Sequence, residues 1–337
     1  MTELNIAVLG AGIVGLTTVL ELKKEFRNAT IDIIADKFYD ETTSFVAAGI
    51  FRPPTGDFGV NENVTRMWIK NSYSYWDNLK SSSDAEQLGA KEVCGYIFSK
   101  EYPHIVRNKY LESLVPLYRQ ATDEELKMCP GEWKYGSYFS TLLIDPTKYL
   151  KWALNKAKNS DINIIKKKLE SFSEIDRKYD ILVNCTGFGG KILCGDSSIV
   201  PLRGQICKVR APWIQNFFYG DNDTYIIPSF DNVTLGGCRQ YDSYNTEVSI
   251  LDYQAIRSRC ENLLPSLKKA ELISHRVGLR PHRIPLRMEK EYCNVKGAKI
   301  KIVHNYGHGG YGVTTAPGTA LNAIQLVKEM LSERSKL

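Results

Sequence analysis

Apolar residues fall first into a run of strand length, Leu4-Asn5-Ile6-Ala7-Val8-Leu9. Past Gly10-Ala11-Gly12-Ile13-Val14-Gly15 they take up helical spacing at Ile13, Leu16, Val19, Leu20 and Phe26, with Glu21, Lys23, Lys24 and Glu25 between them. A second strand-length run, Ala29 to Ala35, ends at Asp36. The same kinds of run recur far along the chain. Tyr179 to Cys185 reads as a buried strand entering a Thr186-Gly187 turn, and Lys299 to His304 as another short strand. A helix is predicted from near Pro317, with Ala320, Ile324, Val327 and Leu331 on one face and Thr314 or Thr315 as its cap.

The pattern between these runs is different. Residues from about 53 to 145 mix amphipathic helix with loops, and Ser81-Ser82-Ser83-Asp84 is the most linker-like stretch. Residues from about 195 to 285 read as strands: Gln205 to Val209, then Tyr225-Ile226-Ile227-Pro228 and Val233-Thr234-Leu235 as a hairpin around Ser229 to Asn232. The fold class expected is α/β. A Rossmann-like nucleotide-binding domain would be assembled from residues 1–52, 146–195 and 286–337. A mixed-sheet, α+β substrate-binding domain would take residues 53–145 and 196–285.

Strand, G-x-G-x-x-G and helix in that order are the context that gives the glycine motif meaning. Gly10 permits the tight turn, Gly12 lets a pyrophosphate approach the backbone beside Ala11 and Ile13, and Gly15 lets helix and strand pack closely. The helix start offers free N–H groups and a positive dipole end. Asp36 stands roughly twenty residues past the last glycine, where a carboxylate takes ribose hydroxyls; it favours FAD or NAD over NADP. A second glycine-rich loop, Gly307 to Gly312, also precedes a helix. Two such loops at opposite ends of one chain suit a long ligand such as FAD. One would hold the pyrophosphate, and the other would meet the isoalloxazine, where a helix dipole stabilises reduced flavin.

Composition narrows the partners. A chain of 337 residues is typical of two domains. A net charge of +6, spread along the chain, is no nucleic-acid footprint but helps attract anionic substrates. No apolar run approaches the ~18 residues that span a bilayer, and the N-terminus has no secretory pattern. Neither a nucleic-acid nor a membrane partner is expected. The eight cysteines show no C-x-x-C and the five histidines no H-E-x-x-H, so no metal site and no disulfide framework are expected, and reduced thiols point to an intracellular compartment. The chain ends in Ser335-Lys336-Leu337, a peroxisomal address read by an import receptor, so the peroxisomal matrix is the expected location.

One further stretch carries chemistry. In Val277 to Arg287, Pro281 biases Arg280 towards extended backbone and presents it on a strand edge. Its guanidinium fork matches a carboxylate bidentately.

These pieces together resemble the D-amino-acid oxidase family of FAD enzymes over nearly the whole chain. The matching segments stand in family order: Gly10 to Gly15; Thr42-Thr43-Ser44 with Ala47-Ala48-Gly49; Asn184 to Gly187; Arg203-Gly204-Gln205; Tyr225 to Pro228; Gly278-Leu279-Arg280-Pro281; and His304 to Thr314. The resemblance implies that Arg280 and Tyr225 bind the substrate α-carboxylate and that the Gly310 carbonyl accepts from the α-amine. It implies that FAD is lined by Asp36, Lys37, Thr43, Ser44, Gly49 and Ile50. Leu169, Thr186, Gly309, Gly312, Val313 and Thr314 complete that lining. The implied reaction is hydride transfer from Cα to flavin N5 without a protein base. Reduction of O2 to H2O2 and hydrolysis of the imine to a 2-oxo acid and ammonia follow. A peroxide producer with a peroxisomal address is chemically coherent.

Within the family, the D-aspartate oxidase branch carries an arginine just after a Gly-Gly pair, and Arg239 stands so in Gly236-Gly237-Cys238-Arg239. A second guanidinium opposite Arg280 would pair with a side-chain carboxylate, implying D-aspartate, D-glutamate or N-methyl-D-aspartate as substrates. Arg52, after the Ala-Ala-Gly turn, is a further candidate for the pocket wall. Tyr219 stands where the acidic branch often has another arginine, and Gly309-Gly310-Tyr311 resembles the neutral branch. A broad or neutral D-amino-acid oxidase therefore remains an alternative, as do an NAD-dependent dehydrogenase and a non-catalytic flavin-binding protein.

Overall fold

The structure, a computed structural model, describes residues 4–295 and 297–333; the expected peroxisomal tripeptide lies outside them. The strands are β1 Asn5–Ala11, β2 Thr30–Phe38, β3 Ala90–Ser99, β4 Tyr118–Gln120, β5 Tyr135–Ile144, β6 Ile162–Lys166 and β7 Ile181–Asn184. They continue with β8 Val200–Arg210, β9 Phe217–Gly220, β10 Thr224–Pro228, β11 Val233–Gly236, β12 Gln240–Tyr241, β13 Glu271–Val295 and β14 Ala298–His308. The long helices are α1 Ile13–Glu25, α2 Glu62–Lys80, α3 Pro146–Lys158, α4 Ile250–Leu263 and α5 Gly312–Ser332.

All fourteen strands join one sheet, in the order β4-β5-β3-β9-β10-β11-β8-β13-β14-β7-β1-β2-β6, with β12 paired to β8 off this path. The run from β14 to β6 is parallel throughout. Its strands are continuous apolar stretches, as a sheet covered on both faces requires; Ile6, Val8, Ile31, Ile33, Ile181 and Val183 are fully buried. Helices α1 and α5 pack together over it. The β8–β11 region is antiparallel, and the expected hairpin forms with Pro228 opposite Val233 and Tyr225 opposite Gly236. Helix α4 covers it with Ile256, Cys260 and Leu263.

β13 unites the two regions. Its first half pairs with β8 and its second with β14, and His282 pairs with both Val200 and His308. Arg280 lies opposite Leu202 of β8, and β14 takes up its pairing with β13 only from His282, so on its other side Arg280 stands at an edge of its strand, as expected. Two boundaries differ from expectation. β2 runs on past Asp36 to Phe38, and β14 continues through His308 and takes in the start of the second glycine loop.

The last helix starts at Gly312, five residues before the predicted position, and Pro317 lies inside it. Tyr311 is the N-cap, not Thr314 or Thr315. A proline inside a helix leaves the carbonyl four residues back without its N–H partner, here that of Val313. The Trp76 indole N–H supplies the missing donor at 3.0 Å. The next amide, Gly318 N–H, donates to Ser72 Oγ at 2.8 Å. Both partners come from α2, which passes so close that a side chain at Gly318 would strike the Trp68 carbonyl at 2.0 Å. The packing of α2 replaces the hydrogen bond that local sequence rules count as lost.

Candidate active site

A cavity of about 790 Å³ opens where β1, β2, β13 and the start of α5 converge, and every residue singled out above as cofactor- or substrate-binding lines it. The first glycine turn forms one end. Gly10 has φ +100°, and a Cβ there would meet the Cys185 carbonyl at 2.5 Å; a Cβ on Gly15 would meet the Gly10 carbonyl at 2.0 Å. Both are required by the fold itself. Gly12 is the extended N-cap of α1 and provides no capping side chain. Ser44 provides it from elsewhere in the chain: its Oγ accepts from Ile13 N–H at 3.0 Å. Asp36 and Lys37 are exposed at the rim near Leu169.

The segment carrying Thr43 to Arg52 is fixed on both sides. Thr43 Oγ1 donates to the Leu279 carbonyl and Arg276 to the Phe45 carbonyl, tying it to β13 beside Arg280. Gly49 has φ +85°, and a Cβ there would strike the Ile144 carbonyl at 2.0 Å. Ile50 bridges to Leu143. Thr186 is held by its own hydroxyl, which donates to Asn184 Oδ1 at 2.7 Å.

The second glycine loop forms the other end. Gly309 has φ +56° and needs its freedom. Gly310 and Gly312 have ordinary backbones, and a Cβ on either would find nothing closer than 3.4 Å, so protein packing does not demand glycine there. What the missing side chains leave open is the cavity in front of Val313 and Thr314 and the start of α5. A long cavity with a helix start at each end, carboxylate-rimmed near one of them, fits FAD in shape and in donor chemistry.

Arg280 shows why two further motifs read as they do. Its guanidinium lies across Gly204, where a Cβ would be 2.2 Å from Nη2. It donates to the Cys238 carbonyl at 3.2 Å, and no carboxylate stands within ion-pair distance among the described residues. The Tyr225 ring is accommodated in the same way by Gly236 and Gly237; a Cβ on Gly236 would be 2.0 Å from Cζ. Burial pushes the Tyr225 phenol above its ordinary pKa, with Arg280 acting against the rise, so the hydroxyl keeps its proton and can donate.

Arg239 lines the cavity at its rim. It is ion-paired with Asp223, Nε to Oδ1 at 2.9 Å, and its side chain is 49% exposed. Arg52 lies deeper, its guanidinium 4.5 Å from the Tyr219 ring centre.

Three residues in or behind the wall were not assigned roles from the sequence. Asp223, the partner of Arg239, belongs to a turn and gave no signal. His308 is buried, with Nε2 3.0 Å from Thr319 Oγ1, and burial lowers its pKa to about 3, so it is neutral. Arg203, quoted only as part of a motif, is fully buried and holds Asp252 at 2.7 Å, Gln240 Oε1 at 2.8 Å and the Asn245 and Glu247 carbonyls at 2.8 Å. It fixes the loop that presents Cys238 and Arg239.

The model of the FAD dependent oxidoreductase family matches residues 5–326. The chain belongs to this family of FAD-dependent oxidoreductases. FAD is accordingly its cofactor, and the NAD alternative is set aside. The chain is 36% identical to the D-aspartate oxidase of Homo sapiens, over 98% of this chain and 96% of that protein. It is 32% identical to the D-amino acid oxidase of Dugesia ryukyuensis, over 97% and 98%. The glycine oxidase of Geobacillus kaustophilus superposes with a TM-score of 0.79 over 96% of this oxidoreductase and 94% of that chain, at 18% identity, and so shares its fold.

Proposed function

We propose that this oxidoreductase catalyses the oxidative deamination of D-amino acids, with acidic ones, D-aspartate foremost, as its substrates. The observation that carries the reading is Arg280. Its guanidinium stands beside Tyr225, lines the cofactor cavity and is answered by no carboxylate among the described residues. That is a receptor for an α-carboxylate. Acidic side chains are favoured by a further cation on the same wall, Arg52, and by the likeness to D-aspartate oxidases.

FAD, when bound, would supply the two-electron acceptor, with O2 reduced to H2O2 in turn. The glycine turn of α1 and Ser44 would hold its phosphate region, Asp36 its ribose, and the Gly309–Thr314 loop its ring. The protein's own work is orientation. Arg280 and the Tyr225 hydroxyl grip the α-carboxylate, and the Gly310 carbonyl accepts from the α-amine. That fixes which face of Cα is presented. No side chain is needed to remove the Cα proton if hydrogen leaves with its electron pair. The imine product hydrolyses to a 2-oxo acid and ammonia.

The Arg239–Asp223 ion pair favours a second reading, a broader D-amino-acid oxidase, because it neutralises one of the cations, and it joins Tyr219 and the Gly309-Gly310-Tyr311 stretch in doing so. Oxygen consumption by the holoenzyme over both enantiomers of aspartate, glutamate and alanine separates the two. D-aspartate foremost supports the acidic reading; D-alanine foremost supports the broader one. Peroxisomal import through Ser335-Lys336-Leu337 belongs to the same proposal, since it places a peroxide source in a compartment suited to it. A fluorescent fusion at the N-terminus should be punctate and should become diffuse when those three residues are removed.

A further inference from the structure

We infer that Arg52, and not Arg239, fixes the distal carboxylate of an acidic substrate. This rests on the acidic-substrate reading above and assigns the residue that creates it.

Arg52 is positioned by its neighbour. Phe51 is fully buried, its N–H donates to the Leu142 carbonyl at 2.7 Å, and its carbonyl accepts from Thr141 Oγ1 at 2.7 Å. The backbone from which Arg52 projects is thereby set. Its guanidinium rests on the Tyr219 ring, with 4.5 Å from Cζ to the centroid. A cation held by an aromatic face keeps its in-plane N–H donors for other partners. Arg52 has no carboxylate within ion-pair distance among the described residues, and its Nε is buried with no hydrogen-bond partner. Arg52 nevertheless lines the cavity, where its terminal N–H donors are what a bound carboxylate can meet.

The wall connects this cation to the α-carboxylate receptor. The Tyr219 and Tyr225 rings lie 5.7 Å apart, and Tyr225 neighbours Arg280. Arg52 and Arg280 thus stand at the two ends of a two-ring wall in one cavity, each lacking an acidic partner. Two unanswered guanidinium groups match the two carboxylates of a short dicarboxylic amino acid. Arg239 offers a poorer match. Asp223 already holds its Nε at 2.9 Å, water reaches half of its side chain, and a carboxylate approaching it would face the Asp223 charge. A neutral substrate leaves the Arg52 charge unanswered, so the same residue discriminates against neutral side chains.

The test uses FAD-loaded full-length enzyme and the R52Q, R52K and R239Q variants. The readout is the ratio of kcat/KM for D-aspartate to that for D-alanine. Alongside it, flavin absorbance titrations with succinate and butyrate compare a dicarboxylate with a monocarboxylate of equal length. R52Q should lower the ratio at least about 30-fold and weaken succinate more than butyrate. R52K keeps the charge without the fork and should restore part of both. R239Q should move the ratio less than about 3-fold. A D-aspartate oxidase whose ratio survives R52Q, or falls with R239Q instead, overturns the assignment alone. If R52Q does not accumulate, an R52K variant with an unchanged ratio and unchanged succinate binding overturns it. A wild-type enzyme that oxidises D-alanine and rejects D-aspartate overturns the acidic reading and the assignment with it.

Discussion

The two glycine loops of this oxidoreductase look alike in sequence and differ in what their glycines are for. At the first, the space of the missing side chain is filled by protein: the Gly10 carbonyl stands 2.0 Å from where a Gly15 Cβ would be. At the second, Gly310 has only the Arg280 side chain near it, at 3.4 Å, and Gly312 nothing closer than 3.7 Å. The first loop is glycine-rich because the strand and helix must touch. In the second, Gly307 and Gly309 answer to a positive φ, but Gly310 and Gly312 are glycine because something other than protein must fit. A motif match cannot separate these cases, whereas the distance to the nearest atom does.

The contrast can be broken most forcefully at Arg280, which abuts the second loop. Arg280→Ala should cost about 2–5 kcal/mol in kcat/KM with every amino-acid substrate while leaving the melting temperature nearly unchanged. Steady-state kinetics beside a thermal melt give both numbers, and retained turnover would remove this loop from the substrate side of the cavity.

Next in size is a matched pair. Gly15→Ala should destabilise by about 3 kcal/mol, through overpacking against backbone that cannot yield, and should lower flavin content. Gly310→Ala should melt like the parent and lose turnover. Equal melting temperatures for the two variants would erase the distinction drawn above.

Smaller again is the support behind the second loop. Trp76→Phe keeps an aromatic ring but strips the Val313 carbonyl of its donor, and should cost about 1–3 kcal/mol by denaturant melt.

The smallest effect is a pH slope. His308 is held at about 3 by burial, below its unfolded value. Between pH 6.5 and 3 the unfolded chain binds a proton that the native one refuses. Stability is therefore intact above 6.5 and falls by about 1.4 kcal/mol per pH unit below it. His308→Gln should flatten that limb when melts at pH 6.5 and pH 5 are compared.

Much of this was legible in the sequence, and the reasons are local. Strand, glycine turn and helix over residues 4–26 obey short-range rules, and so does the hairpin around Ser229 to Asn232. Which residues line the cavity was legible through motifs that stand in a fixed order. What was not legible depends on residues far apart in the chain. A proline at 317 predicts a helix start, and only Trp76 and Ser72 from α2 make it a helix interior. The prolines around Arg280 predict an edge, which the strand keeps there; what they do not reveal is that β13 pairs β8 along its first half and β14 along its second. Arg239 reads as a pocket cation until Asp223 is found beside it. Gly204 reads as part of a motif until Arg280 is seen lying over it.

The place of β14 has a consequence for how the molecule comes into being. It lies between β13 and β7, so residues 298–308 are the seam that closes the sheet. Until the ribosome has delivered them, the nascent polypeptide carries two incomplete sheets with facing raw edges, each a template for mispairing with another chain. Termination before that point would leave a fragment with unpaired edges and not a smaller enzyme.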